Sequence, residues 1–241
     1  MTRLWFLVVL VGCRINFTEV TANDAAPDAD GATDGRMPLA PQFVQTSSTG
    51  NGGSTTAAMS LPNDVVAGNL LLVAIDLVPG PGNTLVSVTD DKGNPYTALG
   101  PWDGNNVRHY LAWSIAQTAG PTTITSTLSA APTIYDLRLH EYANTEQTDP
   151  IEVTAFSTGT TTAVDGARSP TITTLEPNEL VFGFFTLMNG TGIAGTGFTA
   201  RSTFDGDLVE DKLAPTPGPY EAVATCPGIW WNAVVAAIRG R

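Results

Sequence analysis

The chain has 241 residues, a formal net charge of −12 and only 14 % charged residues, and it contains 24 glycines and 17 prolines. No basic stripe appears in the sequence, which argues against binding to nucleic acid. The abundance of glycine and proline, together with frequent threonine and serine, favours many short strands and turns over long helices.

The amino terminus has the pattern of an export signal. Its apolar run at 4–11 follows Arg3 and is much shorter than the roughly 20 residues of a membrane-spanning helix. The sequence LVGC at 10–13 resembles the lipobox of bacterial lipoproteins, in which the cysteine is acylated and the preceding peptide is removed. The resemblance implies that residues 1–12 are a signal peptide and that Cys13 is the lipid attachment point. An ordinary signal peptide and a chance apolar start are the alternatives.

The lipobox pattern also implies a location. Arg14 rather than aspartate follows the cysteine, which by resemblance to lipoprotein sorting permits the outer membrane or the cell surface. Two or three acyl chains anchor a protein stably, so the membrane is an expected partner. With Cys13 acylated, Cys226 has no partner within the chain. A Cys13–Cys226 disulfide is the other possibility.

The segment after the cysteine is expected to be a tether. Residues 23–35 read NDAAPDADGATDG, and such a composition lacks the apolar side chains needed to form a core. Repulsion between its aspartates should extend it. The aspartates do not have the spacing of a calcium-binding EF-hand loop. The sequence therefore predicts a disordered acidic tether over residues 13–41.

Strand patterns dominate the remainder of the chain. Two nearly continuous apolar runs at 69–77 and 179–188 predict strands that are buried on both faces. The stretch YDLRLHEY at 135–142 alternates instead, with leucines on one face and Arg138 and His140 on the other. Clusters of glycine, proline and asparagine separate these stretches, as expected for turns.

The predicted domain, residues 42–241, contains an internal repeat. Each half has a Ser-Thr-Gly sequence, a threonine-rich loop, a short alternating strand, a polar turn and a long apolar strand. The corresponding segments are 47–77 with 156–187, and 111–142 with 209–239. We therefore expect two pseudo-repeated halves, 43–142 and 153–239, in one all-β fold. The fold class is a jelly-roll-type double-sheet β-sandwich of about ten to twelve strands. Two separate small sandwiches are the alternative, but only the short stretch 143–155 joins the halves.

Four stretches resemble a module of bacterial secreted and surface proteins. They are SVTDDKGNPYTALG, LRLHEYANTEQTDPIEV, GFTARSTFDGDLVEDKLAPTPGPY and WWNAVVAAIR. The likeness covers nearly all of residues 43–239. In that family the module stands alone behind a lipobox or occurs in tandem in long multidomain proteins. The resemblance implies a β-sandwich and an extracellular role, and it implies no chemistry.

One polar loop suggests a ligand site. Trp102 lies in GPWDGNN, where an indole has no obvious core to join, and exposed rings on β-sandwiches can stack on sugar faces. Asp103, Asn105 and Asn106 could hydrogen-bond to sugar hydroxyls. We therefore predict these four residues as a ligand-binding set.

A second loop suggests a structural metal. In TDDKGN at 89–94, Asp90, Asp91 and Asn94 offer the oxygen ligands that Ca²⁺ prefers. A plain hairpin turn favours the same residue types and is the alternative. The sequence suggests no other cofactor.

No motif identifies a reaction. His109 and His140 are interpreted as residues of a sheet surface rather than catalytic bases, because neither accompanies a nucleophile motif. The acids considered for a glycosidase pair qualify only by being acidic and near strands. These acids are Asp136, Glu141, Glu210 and Asp211.

The sequence thus predicts a non-enzymatic lipoprotein of the cell envelope. Its head is expected to bind a glycan or an envelope protein, or to have a structural role. The alternative is an envelope polysaccharide hydrolase or lyase with a carboxylate pair. Close, buried carboxylates in a concave cleft would favour that alternative.

Overall fold

The structure, a computed structural model, describes residues 37–160, 166–225 and 230–241. The predictions for Cys13, the signal peptide, Cys226 and the tether up to residue 36 lie outside these residues. In the described part of the chain, no helix is long and apolar enough to cross a membrane.

The described chain is built almost wholly from strands. The strands of the first half are β1 (Gln42–Gly50), β2 (Thr56–Ser60), β3 (Leu70–Leu77), β4 (Leu85–Asp90), β5 (Thr97–Gly104), β6 (Val107–Ile115), β7 (Thr123–Leu128) and β8 (Tyr135–Ala143). Those of the second half are β9 (Ile151–Thr160), β10 (Ala167–Arg168), β11 (Ile172–Thr174), β12 (Glu179–Leu187), β13 (Ile193–Ala194), β14 (Thr199–Ser202), β15 (Leu208–Ala214), β16 (Gly218–Tyr220), β17 (Val223–Thr225) and β18 (Trp230–Ile238). A single 3₁₀ turn at Phe204–Gly206 precedes β15 in the described chain.

The two halves have the same strand order. In the first half, a large sheet with order β1-β8-β3-β6-β5 accompanies a small sheet with order β2-β7-β4. In the second half, the large sheet has order β9-β18-β12-β15-β14 and the small sheet β10-β17-β13, with β11-β16 pairing alongside. Each half is therefore a jelly roll of eight strand positions, two of which are split into short pieces in the second half. The prediction of an all-β, pseudo-repeated jelly roll is confirmed. Each half has a large and a small sheet of its own, however, so the described strands number eighteen rather than the expected ten to twelve.

Three apolar clusters show how the sheets are layered. One lies between the large and small sheets of the first half, and another lies between those of the second half. The third joins the two large sheets, with Leu70, Leu72 and Tyr142 on one side and Phe182 and Phe184 on the other. The double-sheet arrangement therefore holds within each half, and the halves stack through their large sheets to give four layers.

This stacking explains the two apolar runs in the sequence. Along β3, Leu71 and Val73 face the small sheet of their own half, while Leu70 and Leu72 face the other half. Every residue of β3 and β12 is buried. The prediction that these strands are buried on both faces is confirmed.

The stacking also corrects the interpretation of the histidines. His109 and His140 are both 0 % exposed rather than at a sheet surface. His140 alternates with Leu137 and Leu139, and His109 alternates with Tyr110 and Ala112, all of which lie in the core of the first half. Both histidines therefore face the second half instead. His109 contacts Phe184, and His140 contacts Phe182.

The last residues of the predicted tether differ from expectation. Leu39 donates its backbone N–H to the carbonyl of Arg241 at 2.5 Å and accepts a hydrogen bond from the Arg241 N–H at 3.1 Å. The side chain of Asn178 donates to the Pro38 carbonyl at 2.9 Å. This end of the segment is thus tied to the carboxyl terminus and to the second half.

Candidate binding site between the two halves

Four charged side chains meet at one end of the contact between the halves. We call them the aspartate–arginine network: Asp76 on β3, Asp136 and Arg138 on β8, and Asp207 just before β15. Asp76 and Asp136 are directly paired across the first large sheet. Because side chains alternate along a strand, Arg138 shares the face of Asp136. That face is the one turned toward the second half.

Arg138 holds this network together. Its side chain is 0 % exposed, and its Nη1 donates to Asp76. Its Nη2 donates to Asp207 at 2.7 Å and to the backbone carbonyl of Phe204 at 3.2 Å. The Asp136 carboxylate lies 3.8 Å from the same Nη2, beyond hydrogen-bond distance. One buried guanidinium therefore connects β8 to the segment that enters β15.

The network contains three acids and one guanidinium. Burial alone would lower the pKa of Arg138, but Asp76, Asp207 and Asp136 together raise it above its ordinary value, so this side chain stays cationic. Burial, followed by the charge of Asp76, raises the pKa of Asp136 to about 7. Near neutral pH, Asp136 is therefore poised between its protonated and ionised forms.

The three carboxylates are close enough to share a metal ion. Asp76, Asp136 and Asp207 each offer an oxygen, and these oxygens lie within 4.8 Å of one another. Arg138, however, already places a positive charge between Asp76 and Asp207. These contacts favour an ion-pair network over a metal centre.

A cavity of about 390 Å³ opens beside the network. We call it the junction pocket, because both halves line it. Its polar lining consists of four carboxylates, three side-chain amides and one hydroxyl: Asp76, Asp136, Asp205, Asp207, Asn105, Asn106, Asn189 and Thr186. Its apolar lining includes Trp230 and Met188. A concave site with convergent polar groups and one aromatic ring is typical of a small-molecule site.

The turn between β5 and β6 builds one wall of this pocket. Asn105 and Asn106 have φ angles of 46° and 61°, the left-handed pair of a tight hairpin turn that asparagine tolerates. The Asn105 side-chain amide donates to Thr158 Oγ1 at 2.6 Å and to the Trp231 carbonyl at 3.0 Å. The turn of the first half is thereby fixed to strands of the second.

The predicted ligand-binding set is divided by the structure. Asp103, Asn105 and Asn106 line a neighbouring shallow cavity of about 350 Å³, and both asparagines also line the junction pocket. Trp102 lines neither. It lies on β5 and packs against the core between the large sheets, so the premise that its indole has no core to join is wrong. Asp103 pairs with Arg108 at 2.7 Å, and that hydrogen bond lowers its pKa.

The predicted calcium residues are engaged within their turn. Asp90 accepts hydrogen bonds from the backbone of Lys92 and Asn94 at 3.0 Å each, and from the Asn94 side chain at 2.7 Å. The Asn94 side-chain oxygen accepts from the Gln117 N–H, and an Asp91 oxygen accepts from the Thr123 N–H. These contacts favour the hairpin-turn alternative.

The other acids considered for a hydrolase have structural partners. Glu141 accepts from the Val66 N–H at 2.9 Å, and Glu210 accepts from the Gly195 N–H at 2.9 Å. Asp211 accepts two hydrogen bonds from Arg201. Of the four acids proposed from the sequence, Asp136 alone lines the junction pocket.

Sequence reasoning missed most of the site. Asp76 and Asp207 were not singled out, although an aspartate inside the apolar run LLLVAIDL is a signal that could have found Asp76. Trp230 begins β18, and nothing in the sequence places it in the same cavity as Asp136. These residues meet only because the two halves stack.

Comparison with protein-family models found no match, and neither the curated proteins nor the solved structures gave a significant match.

Proposed function

We propose that this chain is a non-catalytic binding protein whose junction pocket takes a glycan. The observation that carries the proposal is the pocket itself, in which carboxylates, amides and the Trp230 ring converge between the two halves. Sugars present hydroxyl groups that both donate and accept, and carboxylates and amides complement them. The indole offers an apolar surface for a sugar face.

The pocket walls are firmly held. Asn105 is hydrogen-bonded to the second half, and Asp76 and Asp207 are both bound to the buried Arg138. A site whose side chains are fixed before the ligand arrives loses little conformational entropy on binding. This rigidity supports recognition of a defined ligand.

We further propose that Cys13 anchors the head to the cell envelope as a lipoprotein, at the outer membrane or cell surface. The support is the LVGC sequence at 10–13 behind a short apolar run. Cys13→Ala should move the protein from the membrane fraction to the soluble fraction. Unchanged membrane retention would refute the anchor and leave the pocket proposal standing.

A glycan array tests the binding proposal. We would screen the full chain carrying Cys13→Ala, so that no lipid is attached, beside the same chain with Trp230→Ala. We expect the first protein to bind a subset of glycans and Trp230→Ala to weaken that binding about tenfold or more. Tyr220→Ala truncates a half-buried ring on β16 that is not part of the pocket lining, so it serves as the control and should bind normally. Absence of binding to every glycan would sink the proposal.

One observation favours the polysaccharide hydrolase as a second candidate. Asp136 has a pKa of about 7, as a general acid needs, and lies close to two further carboxylates. The oxygens of the three acids lie within 4.8 Å of one another, which is close to the separation of about 5–5.5 Å between the two carboxyls of a retaining glycosidase. Asp76 and Asp207, however, are committed to Arg138, so binding is the better-supported function.

Reducing-end release distinguishes the two candidates. If the chain is a hydrolase, bound polysaccharide should be cleaved, and Asp136→Asn should abolish cleavage while retaining binding. We expect no cleavage by either protein. Sustained cleavage that depends on Asp136 would replace the binding proposal with the hydrolase.

A further inference from the structure

The junction pocket is lined by more acids than cations. Asp76, Asp136, Asp205 and Asp207 all line it, and none of the described residues lining it is lysine or arginine. Arg138, which is bonded to Asp76 and Asp207, has a fully buried side chain and is not part of the pocket lining. A ligand entering the pocket therefore meets carboxylates with no competing cation.

Asp136 is the unpartnered member of this group. Its side chain is only 7 % exposed, yet it accepts no hydrogen bond from any residue that the structure describes. Its nearest cationic nitrogen, Arg138 Nη2, is 3.8 Å away. A buried carboxylate without a donor is unfavourable, and a ligand donor would relieve that cost. Because Asp136 lines the cavity, that donor can come from a ligand.

Asp205 places a second carboxylate in the same lining. It is exposed and lies in the turn before β15, where its φ of 55° holds it in a left-handed conformation. Asp136 and Asp205 thus offer one buried and one exposed acceptor, and the Trp230 ring lines the same cavity.

The size of the pocket favours an organic ammonium over a metal ion as the bound cation. A cavity of about 390 Å³ is much larger than a metal ion needs and large enough for a sugar ring. A metal at the three carboxylates would also lie close to the Arg138 guanidinium, and the two positive charges would repel. An organic ammonium can instead donate to Asp136 from the cavity side.

We propose that the junction pocket selects an amino sugar with a free amine, whose ammonium donates to Asp136. This inference rests on the proposed glycan-binding function and names the chemical class of the glycan. The remaining hydroxyls meet Asn105, Asn106 and Asp205, and the sugar face meets Trp230. N-acetylation removes the positive charge while keeping the ring, so it should remove the preference.

Calorimetric titration tests the proposal. The full chain carrying Cys13→Ala is titrated with glucosamine and galactosamine oligosaccharides and with their N-acetylated counterparts. We expect the free amines to bind about tenfold or more tightly than the acetylated forms, as for a charge-assisted hydrogen bond. Asp136→Asn should bind both forms equally, and Asp205→Asn should lose part of the preference. Asp64→Asn, an exposed acid in the loop before β3, is the matched control and should keep the preference.

The outcomes separate this inference from the proposed function. Equal binding of free and acetylated sugars would overturn the amino-sugar inference and leave glycan binding intact. Binding of neither form, with no other glycan bound on the array, would overturn both. Equal affinity for ethanolamine, a small amine without a ring, would overturn the role of the sugar. A full preference retained in Asp136→Asn would show that Asp136 does not receive the amine.

Discussion

Replacing Arg138 by methionine should strongly destabilise the protein. Methionine fills much of the same space but cannot donate to Asp76 and Asp207, both of which are buried. Removing one partner of a buried ion pair costs about 3–5 kcal/mol, because the other charge is left buried without compensation. For a domain of this size, each kcal/mol lowers the melting temperature by about 2–4 °C. The expected decrease is therefore about 6–20 °C.

Thermal unfolding near neutral pH, followed by tryptophan fluorescence, measures this effect. Arg168→Met is the matched control, since Arg168 forms an ion pair with Glu221 at 2.9 Å but its side chain is 57 % exposed. Such a pair contributes about 0–1 kcal/mol, so the control should melt almost like the parent. Adding Asp76→Asn and Asp207→Asn to Arg138→Met removes the stranded charges and should recover part of the loss. A decrease for Arg138→Met no larger than that of the control would refute the network's role in joining the halves.

Three further predictions follow from the buried polar groups. The pKa of Asp136 is about 7 in the folded protein against an ordinary 3.8, so the parent loses stability as pH rises through about 7. The melting temperature of Asp136→Asn should therefore rise relative to that of the parent between pH 5 and pH 8. A melting-temperature difference that does not change with pH would contradict this. Burial lowers the pKa of His140 to about 3 from 6.5, and neither ring nitrogen has a partner among the described residues. The stability that the neutral His140 side chain contributes is therefore lost as pH falls below 6.5. The melting temperature of His140→Phe, compared with that of the parent, should be higher at pH 4 than at pH 7. Asp90→Ala should cost about 1–2 kcal/mol in urea unfolding through lost turn hydrogen bonds, and Ca²⁺ should not stabilise the parent; a calcium-dependent rise in melting temperature would restore the metal hypothesis.

Much of the fold was accessible from the sequence. The two apolar runs indicated which strands are buried on both faces. The internal repeat predicted two halves with matching strands, and the large sheets do have the same order. These features follow from local periodicity, which a single sequence records directly.

The stacking of the halves could not be predicted in the same way. Arg138 and His140 occupy the strand face opposite the leucines, and such a pattern ordinarily indicates a solvent-facing side. Here that face meets the large sheet of the second half, and Arg138 donates a hydrogen bond to the Asp207 carboxylate. A polar face buried by another part of the chain has the same periodicity as an exposed one.

The two halves also differ where the site lies. Asp76 and Asp136 are paired in the first large sheet, while Thr186 and Asn232 are paired at the corresponding place in the second. The two halves therefore share the same strand arrangement but carry different side chains at the site. Asn105 and Asn106 were found from the sequence because they stand in a polar turn, but their neighbours in the pocket come from distant strands.

A crystal structure of the full chain, unlipidated through Cys13→Ala and bound to its best glycan from the array, tests the central claim most directly. We predict a sugar in the junction pocket, with a donor within hydrogen-bond distance of the Asp136 carboxylate and a ring face on Trp230. A sugar bound elsewhere on the protein, with the junction pocket free of it, would contradict the account.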